Sequence, residues 1–564
     1  MSEEARKKAM DFIRNETQFH LGFLPTEQSN PQSATLEKDF AAGSEKGIET
    51  LQKVDRNVLE MAEKVFRSGE FEKLSACMEK TLKSGGRIVF SGCGATGRLS
   101  ILLESMWRDA CLRLRNRFPV LLKYENSVFS IMTGGDFAFV RSVEFFEDYQ
   151  EFGRRQVRDM DMNANDMLAA ITEGGETSSV LGTVDEALSR GCSVFLMFNN
   201  PAQLLAEHLD RSRKAIEDKR VTVLDLSCGP MAIAGSTRMQ ATTSEQLIAG
   251  AALENAILRI AGEKTPDHLS SFKSVLDTLT EKENIRTAAA YIDYETGVYR
   301  KKGKMTYFAE DFMLDIFTDT TERSPTFMLP PFRRRDDSVS PQSWAFVKNP
   351  LRSTPETWKS VMHRNLRCLN WTDPDYEQMG SLAAVSMKRP RISENDLLAF
   401  EIGNENIPVR AESENDSAVL FLFGDSPSAD ALRNAFDSAA VCFGNRKILS
   451  VASKTGDFRI HVSFTPSPLR LMEHMLVKLL FNTVSTGTMV RMGRVAGNWM
   501  SWVDLSNKKL LDRGTRLVAE LAGISYEQAC VALFEAVEEI ERTADPKSER
   551  VSAVQYALKK LKTE

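Results

Sequence analysis

Between Arg87 and Ser91 the chain reads RIVFS, apolar and β-branched, and it then meets Gly92, Gly94 and Gly97 before entering the helical pattern of RLSILLESMWRDA. A short apolar run without polar alternation is what a parallel strand covered on both faces requires, so the stretch predicts a strand, a glycine turn and a helix in succession. Further strands are predicted at Ser127 to Met132, Asp166 to Ile171, Ser193 to Phe198 and Val221 to Leu226, with helical sequence between most of them. A second series is predicted at Ala288 to Tyr294, Pro325 to Leu329, Ala418 to Phe423, Lys447 to Val451 and Arg459 to Ser463. This alternation predicts an α/β fold of two doubly wound, flavodoxin-like parallel sheets.

The flanks differ in pattern. Residues 1–50 contain LPTEQSNPQS, where Pro25 and Pro31 predict an extended arm that must lie on something. From Leu471 the pattern is helical, and close helix packing is the expected reason for Gly487, Gly493 and Gly497. The expected organisation is an arm over residues 1–50, a first sheet domain over 51–270, a second, degenerate one over 271–480 and a helical cap over 481–564. In the second domain the segment YETGVYRKKGKM is expected at the first turn, and it lacks the three-glycine pattern.

Composition narrows the function. A net charge of -6 over 564 residues argues against a general nucleic-acid or membrane surface. The 8 cysteines are scattered without a C-x-x-C pair or zinc-like spacing, so reduced thiols and no metal are expected. The charged start MSEEARKKAM and the lack of a long apolar run predict a cytoplasmic protein.

In a wound parallel sheet the turns after the strands converge on one crevice. The turn after the first strand, with Gly94, Thr96 and Gly97, predicts an anion cradle at a helix N-terminus. Its Gly-x-Gly-x-x-Gly spacing also fits a dinucleotide site, but Glu125 precedes the next strand where an acidic residue should end it. Three further turns carry polar candidates: a helix with Glu144, Glu147 and Asp148, the turn TEGGETSSV with Thr172 and Thr177, and Ser236, Thr237 and Arg238. Together they predict a phosphorylated ligand held by amides and hydroxyls, with carboxylates reading its hydroxyl groups. Simpler readings stand beside this one: the threonines as helix caps, the acids as a solvated face, and Arg238 paired with a surface carboxylate. No organic cofactor is expected.

The segments GCGATGRLS, TEGGETSSV, GSTRM, NTVSTGTMVRMGRVAGNWMSWVDLSNKKL and the arm's TEQSNPQS resemble sugar isomerase (SIS) domain proteins. The resemblance is to the branch holding the glucokinase regulatory protein and N-acetylmuramic acid 6-phosphate etherase, and it covers nearly the whole chain. It implies two SIS domains with a helical lid, phosphate contacts from Thr96, Thr172 and Thr177, sugar hydroxyls bound by Glu144 and Glu147, and Arg238 in the GSTRM segment. Arg494 stands where the family usually has a lysine. Met106 occupies the position of the etherase catalytic glutamate, with Glu104 offset by about half a helical turn, while Gly174 and Gln240 replace a family serine and lysine. The resulting expectation is a regulator or sensor that binds a hexose or amino-sugar 6-phosphate and meets a protein partner through its lid. The alternative is a sugar-phosphate lyase or isomerase using Glu147 as acid/base; an NAD-linked enzyme rests on the glycine spacing alone.

Overall fold

The computed structural model describes residues 3–143, 146–380, 390–425, 427–462 and 464–563. Its framework is two parallel sheets of five strands each. The first contains β1 (Ile88–Gly92), β2 (Val128–Met132), β3 (Met167–Ile171), β4 (Ser193–Phe198) and β5 (Val221–Asp225), in the order β2-β1-β3-β4-β5. Ile88 of β1 lies opposite Val128 on one side and Met167 on the other. Both β1 and β3 are buried along their whole length, which is why they read as unbroken apolar runs.

The second sheet contains β6 (Met305–Phe308), β7 (Ala345–Lys348), β8 (Ser417–Phe423), β9 (Asn445–Val451) and β10 (Phe458–Ile460), in the order β10-β9-β8-β6-β7. Its winding is that of the first sheet. Two expected strands are corrected. Ala288 to Tyr294 lies within the helix Lys282–Arg300, where Ala288, Ala289, Tyr291 and Ile292 are buried at helical spacing. Pro325 to Leu329 begins inside the helix Met313–Phe327, which ends at Met328 in a left-handed conformation. The strands in their place, MTYF and AFVK, have only 4 residues each. The segment YETGVYRKKGKM therefore ends a helix and enters β6, and the turn that follows β6 runs through Phe312 at φ 55°. At the last strand Phe458–Ile460 falls within the expected range, whose Ser463 lies outside the described residues.

The long helix Leu471–Arg491 packs against helices of both halves and crosses the expected boundary at residue 480. A Cβ on Gly487 would lie 2.7 Å from Ile292 and 2.8 Å from Phe40, the close packing foreseen for it. Gly493 and Gly497 instead make turns at φ 74° and 61°. The helices Lys508–Ala522, Tyr526–Thr543 and Ala553–Thr563 complete the C-terminal region. No single helix among the described residues is long and apolar enough to cross a membrane.

The arm lies between the turn that follows β5 and the Lys508–Ala522 helix. Thr26 accepts from the Gly235 amide at 3.1 Å, and Asn30 donates to the Pro230 carbonyl at 2.6 Å. Glu27 is buried and receives Arg513 at 2.6 Å and Arg516 at 2.8 Å. Burial acts against its charge, but the two guanidinia outweigh it and hold the carboxyl down to about 2.

Charged side chains also join the two sheet halves. Glu104, 1% exposed, meets Arg108 and Arg364 at 3.1 Å each, Arg367, and the Ser130 hydroxyl at 2.7 Å. Arg364 also grips Asp136 at 2.6 Å. Removing one member of such a cluster leaves buried charge without compensation. Glu104→Ala is expected to cost about 3–5 kcal/mol, read as a lower midpoint in thermal or urea unfolding; an unchanged midpoint would show that the cluster does not hold the halves together.

Candidate functional site

A cavity of about 120 Å³ opens where the turns of the first sheet meet the second half and the C-terminal helices. Two helices begin at it, Gly94–Arg113 and Ser178–Ser189, so unpaired amide groups and the positive ends of two helix dipoles border it. The three glycines of the first turn divide the work. A Cβ on Gly92 would strike the backbone at Thr96, and one on Gly97 would lie 2.7 Å from Met132, so these two permit the helix to sit against the strands. Gly94 has φ 56° and borders the cavity, with open space where a Cβ would stand.

Several expected residues converge here. Gly94, Glu147, Thr177, Ser236 and Arg238 line the cavity. The Ser236 hydroxyl is buried without a hydrogen-bond partner among the described residues. Glu147 sits on the turn before the helix Gln150–Asp159, outside the helix expected for it. Arg238 is 4% exposed, pairs with Asp319 at 2.8 Å and donates to Ser485 and Thr486; its partner is a carboxylate, but a buried one and not the surface group of the simpler reading.

Others are placed differently. The Thr96 hydroxyl is used within its own turn, accepting from the Cys93 amide at 3.0 Å and donating to the Cys93 carbonyl at 2.8 Å. Thr172 is buried behind the lining and donates to the Thr177 hydroxyl at 3.1 Å. Arg494 lies away from the cavity, over Trp502 at 3.8 Å and Trp344 at 5.0 Å, with Glu549 at 3.4 Å. Glu144 lies outside the described residues. Met106 is in the core, and Glu104 is committed to its arginines as described above.

Four lining groups were not singled out from sequence: Glu173, Glu322, Asn507 and Lys509. Lys509 bridges Glu147 at 2.5 Å and Glu176 at 3.5 Å. Burial works against its charge, but the two carboxylates prevail and hold the ammonium well above the ordinary lysine range. Asn507 caps the helix by accepting from the Leu510 amide at 2.9 Å, while its amide nitrogen stands 3.5 Å from Glu147. Glu322 reaches across from the second half, paired with Arg98. Glu173 stands on the turn after β3, half-buried, and its backbone carbonyl accepts from the Asn199 amide at 2.9 Å. Burial, opposed by Lys509 and reinforced by the Glu322 and Glu147 charges, pushes its carboxyl up to about 8. Its neighbour Glu176 instead turns to Arg211 at 2.9 Å.

The cavity therefore joins anion-binding helix ends to carboxylates of two kinds, one ion-paired and one protonated near neutral pH. That combination suits an anionic ligand that also carries hydroxyls and exchangeable protons. Lys509→Met would leave Glu147 without its cation, while Glu176 keeps Arg211. The expected cost is about 3 kcal/mol, seen as faster amide hydrogen exchange across residues 508–522, with Lys509→Arg retaining protection; unchanged exchange in the methionine variant would rule out this docking role.

A family model described as the glucokinase regulatory protein N-terminal SIS domain matches residues 71–188. N-acetylmuramic acid 6-phosphate etherase 1 of Bacillus licheniformis is 29% identical over 229 residues, covering 41% of this chain and 67% of its own length. The N-acetylmuramic acid 6-phosphate etherase of Francisella philomiragia is 25% identical over 284 residues, covering 50% of this chain and 87% of its own. The crystal structure of tagatose-6-phosphate ketose/aldose isomerase from Escherichia coli superposes with a TM-score of 0.44 at 10% identity, over 80% of this chain and 94% of that one.

Proposed function

We propose that this chain, which belongs to the SIS-domain family in the branch of the glucokinase regulatory protein and N-acetylmuramic acid 6-phosphate etherase, is a sugar-phosphate lyase acting in the cavity at the edge of the first sheet. The observation that carries the reading is the placement of Glu147 and Glu173, an ion-paired and a proton-bearing carboxyl, beside two helix N-termini in one cavity. The amides at Gly94 and Ala95, with the Thr177 and Ser236 hydroxyls, would hold the phosphate. Lys509 would steady Glu147 against the sugar.

The curated relatives are etherases, which favours the lyase over the sensor expected first from sequence. An etherase separates a lactyl ether from C3 of the sugar, and this needs a base for the C2 proton and an acid for the departing oxygen. Glu147 takes the part of the base. The sensor reading retains one specific support, the regulatory-protein model over residues 71–188.

Proton NMR of the full chain with N-acetylmuramic acid 6-phosphate separates the two. The lyase predicts a growing lactate methyl signal, and Glu147→Gln is expected to slow it by about 10²–10⁴-fold while ligand binding persists. Saturation transfer to the sugar with no new signal would instead make the protein a sensor.

A further inference from the structure

The cavity contains one carboxyl whose use remains open. Glu147 is tied to Lys509, Glu322 to Arg98, and Glu176 to Arg211 and Lys509, whereas Glu173 forms no salt bridge among the described residues. Its turn is nevertheless fixed: the Glu173 and Gly174 carbonyls accept from the Asn199 amide and the Asn200 side chain at 2.9 and 3.0 Å, and Gly175 donates to the Thr172 carbonyl at 2.9 Å. A rigid backbone with an uncommitted acid aimed at a ligand space is how a proton donor is built. The position usually assigned this task in the etherases holds Met106, and the nearby Glu104 cannot leave its arginines.

We infer that Glu173 is a catalytic acid of this chain, donating its proton to the ether oxygen that departs from C3 while Glu147 receives the proton from C2. The inference rests on the lyase reading above. In the open-chain sugar the aldehyde at C1 makes the C2 proton acidic. Glu147 takes that proton, the electron pair of the C2–H bond is held as the C1 enolate, and that pair then forms the C2=C3 double bond as the C3–O bond breaks. The oxygen leaves with the bonding pair and takes the Glu173 proton, giving lactate and an unsaturated sugar phosphate. Glu147 ends protonated and Glu173 ionised, so charge and protons balance, and adding water across the double bond restores both.

Four titratable groups face Glu173 from different elements: Lys509 on the C-terminal helix, Glu322 on the second half, Glu147 on the neighbouring turn and Glu245 on the helix Gln240–Ala261. Burial and the Glu322 and Glu147 charges keep Glu173 protonated up to about 8, against the pull of Lys509 and of its own backbone amide. The sign of the pH effect follows. The donor works in its protonated form, so turnover is expected to fall as pH rises through about 8.

The test follows N-acetylmuramic acid 6-phosphate by proton NMR in deuterated buffer with wild type, Glu173→Gln and Glu173→Asp. Because Glu147 remains, Glu173→Gln should still exchange the C2 proton for deuterium within about threefold of wild type, while lactate release falls by about 10²-fold or more. Glu173→Asp should restore part of the release, and the loss of rate at alkaline pH should be present only where a carboxyl remains. Near-normal lactate release by Glu173→Gln overturns the inference. So does parallel loss of exchange and release in a variant that unfolds like wild type, because Glu173 would then serve binding. If the glutamine variant fails to fold, a wild-type rate that stays level from neutral pH to about 9.5 overturns it equally. A wild type that releases no lactate defeats the lyase reading itself.

Discussion

Asp319 is the interaction on which the arrangement of the three parts depends. It is 3% exposed and belongs to the second half, yet it takes Arg238 from the first half at 2.8 Å, its own helix's Arg323 at 3.1 Å, and Asn482 and Ser485 of the long C-terminal helix at 3.0 and 2.8 Å. A carboxylate so buried survives as a charge only when fully partnered. Burial would push Asp319 up, but Arg323 and Arg238 more than compensate and hold it below the ordinary range. Its satisfaction thus requires all three parts to be in place together, and it fixes Arg238 at the wall of the cavity.

The cavity is consequently a product of assembly. The first sheet supplies two helix ends and the turn bearing Glu173; the second half supplies Glu322; the Lys508–Ala522 helix supplies Lys509. At the corresponding edge of the second sheet polar side chains pair with one another. Glu310 holds Asn349 and meets Arg352 at 3.0 Å after β6 and β7, and Asp425 takes Ser453 at 2.6 Å after β8 and β9. The second half keeps the winding and spends its polar groups on itself, apart from those it lends to the first.

The first sheet was legible because RIVFS and the β3 strand are apolar runs buried on both faces that end at a glycine turn and a hydroxyl-rich turn. The second was half legible: β8 and β9 have 7 residues each, whereas β6 and β7 are too short to stand out beside an alanine-rich helix with a stronger apolar rhythm. At the site, Glu147, Thr177 and Ser236 could be found because each follows a strand of the same sheet. Glu322 could not, since nothing local ties residue 322 to the cradle turn. Lys509 lay in the SNKKL segment that carries the family likeness, and Glu173 lay in the TEGGET turn, where the glycines and threonines drew the assignment. Arg494 went to two tryptophans because aromatic faces offered a buried guanidinium an apolar seat.

The arm has a bearing on how the molecule comes into being. Glu27 meets Arg513 across 486 positions of chain, and the helix Glu3–Asn15 packs on the helix Tyr526–Thr543. During synthesis the arm must therefore wait, unpaired, until the segment around Arg513 has been made. Both sheets can form in the interval, but the wall bearing Lys509 cannot be secured. A chain interrupted before the helix Lys508–Ala522 would thus carry the scaffold without the enclosure.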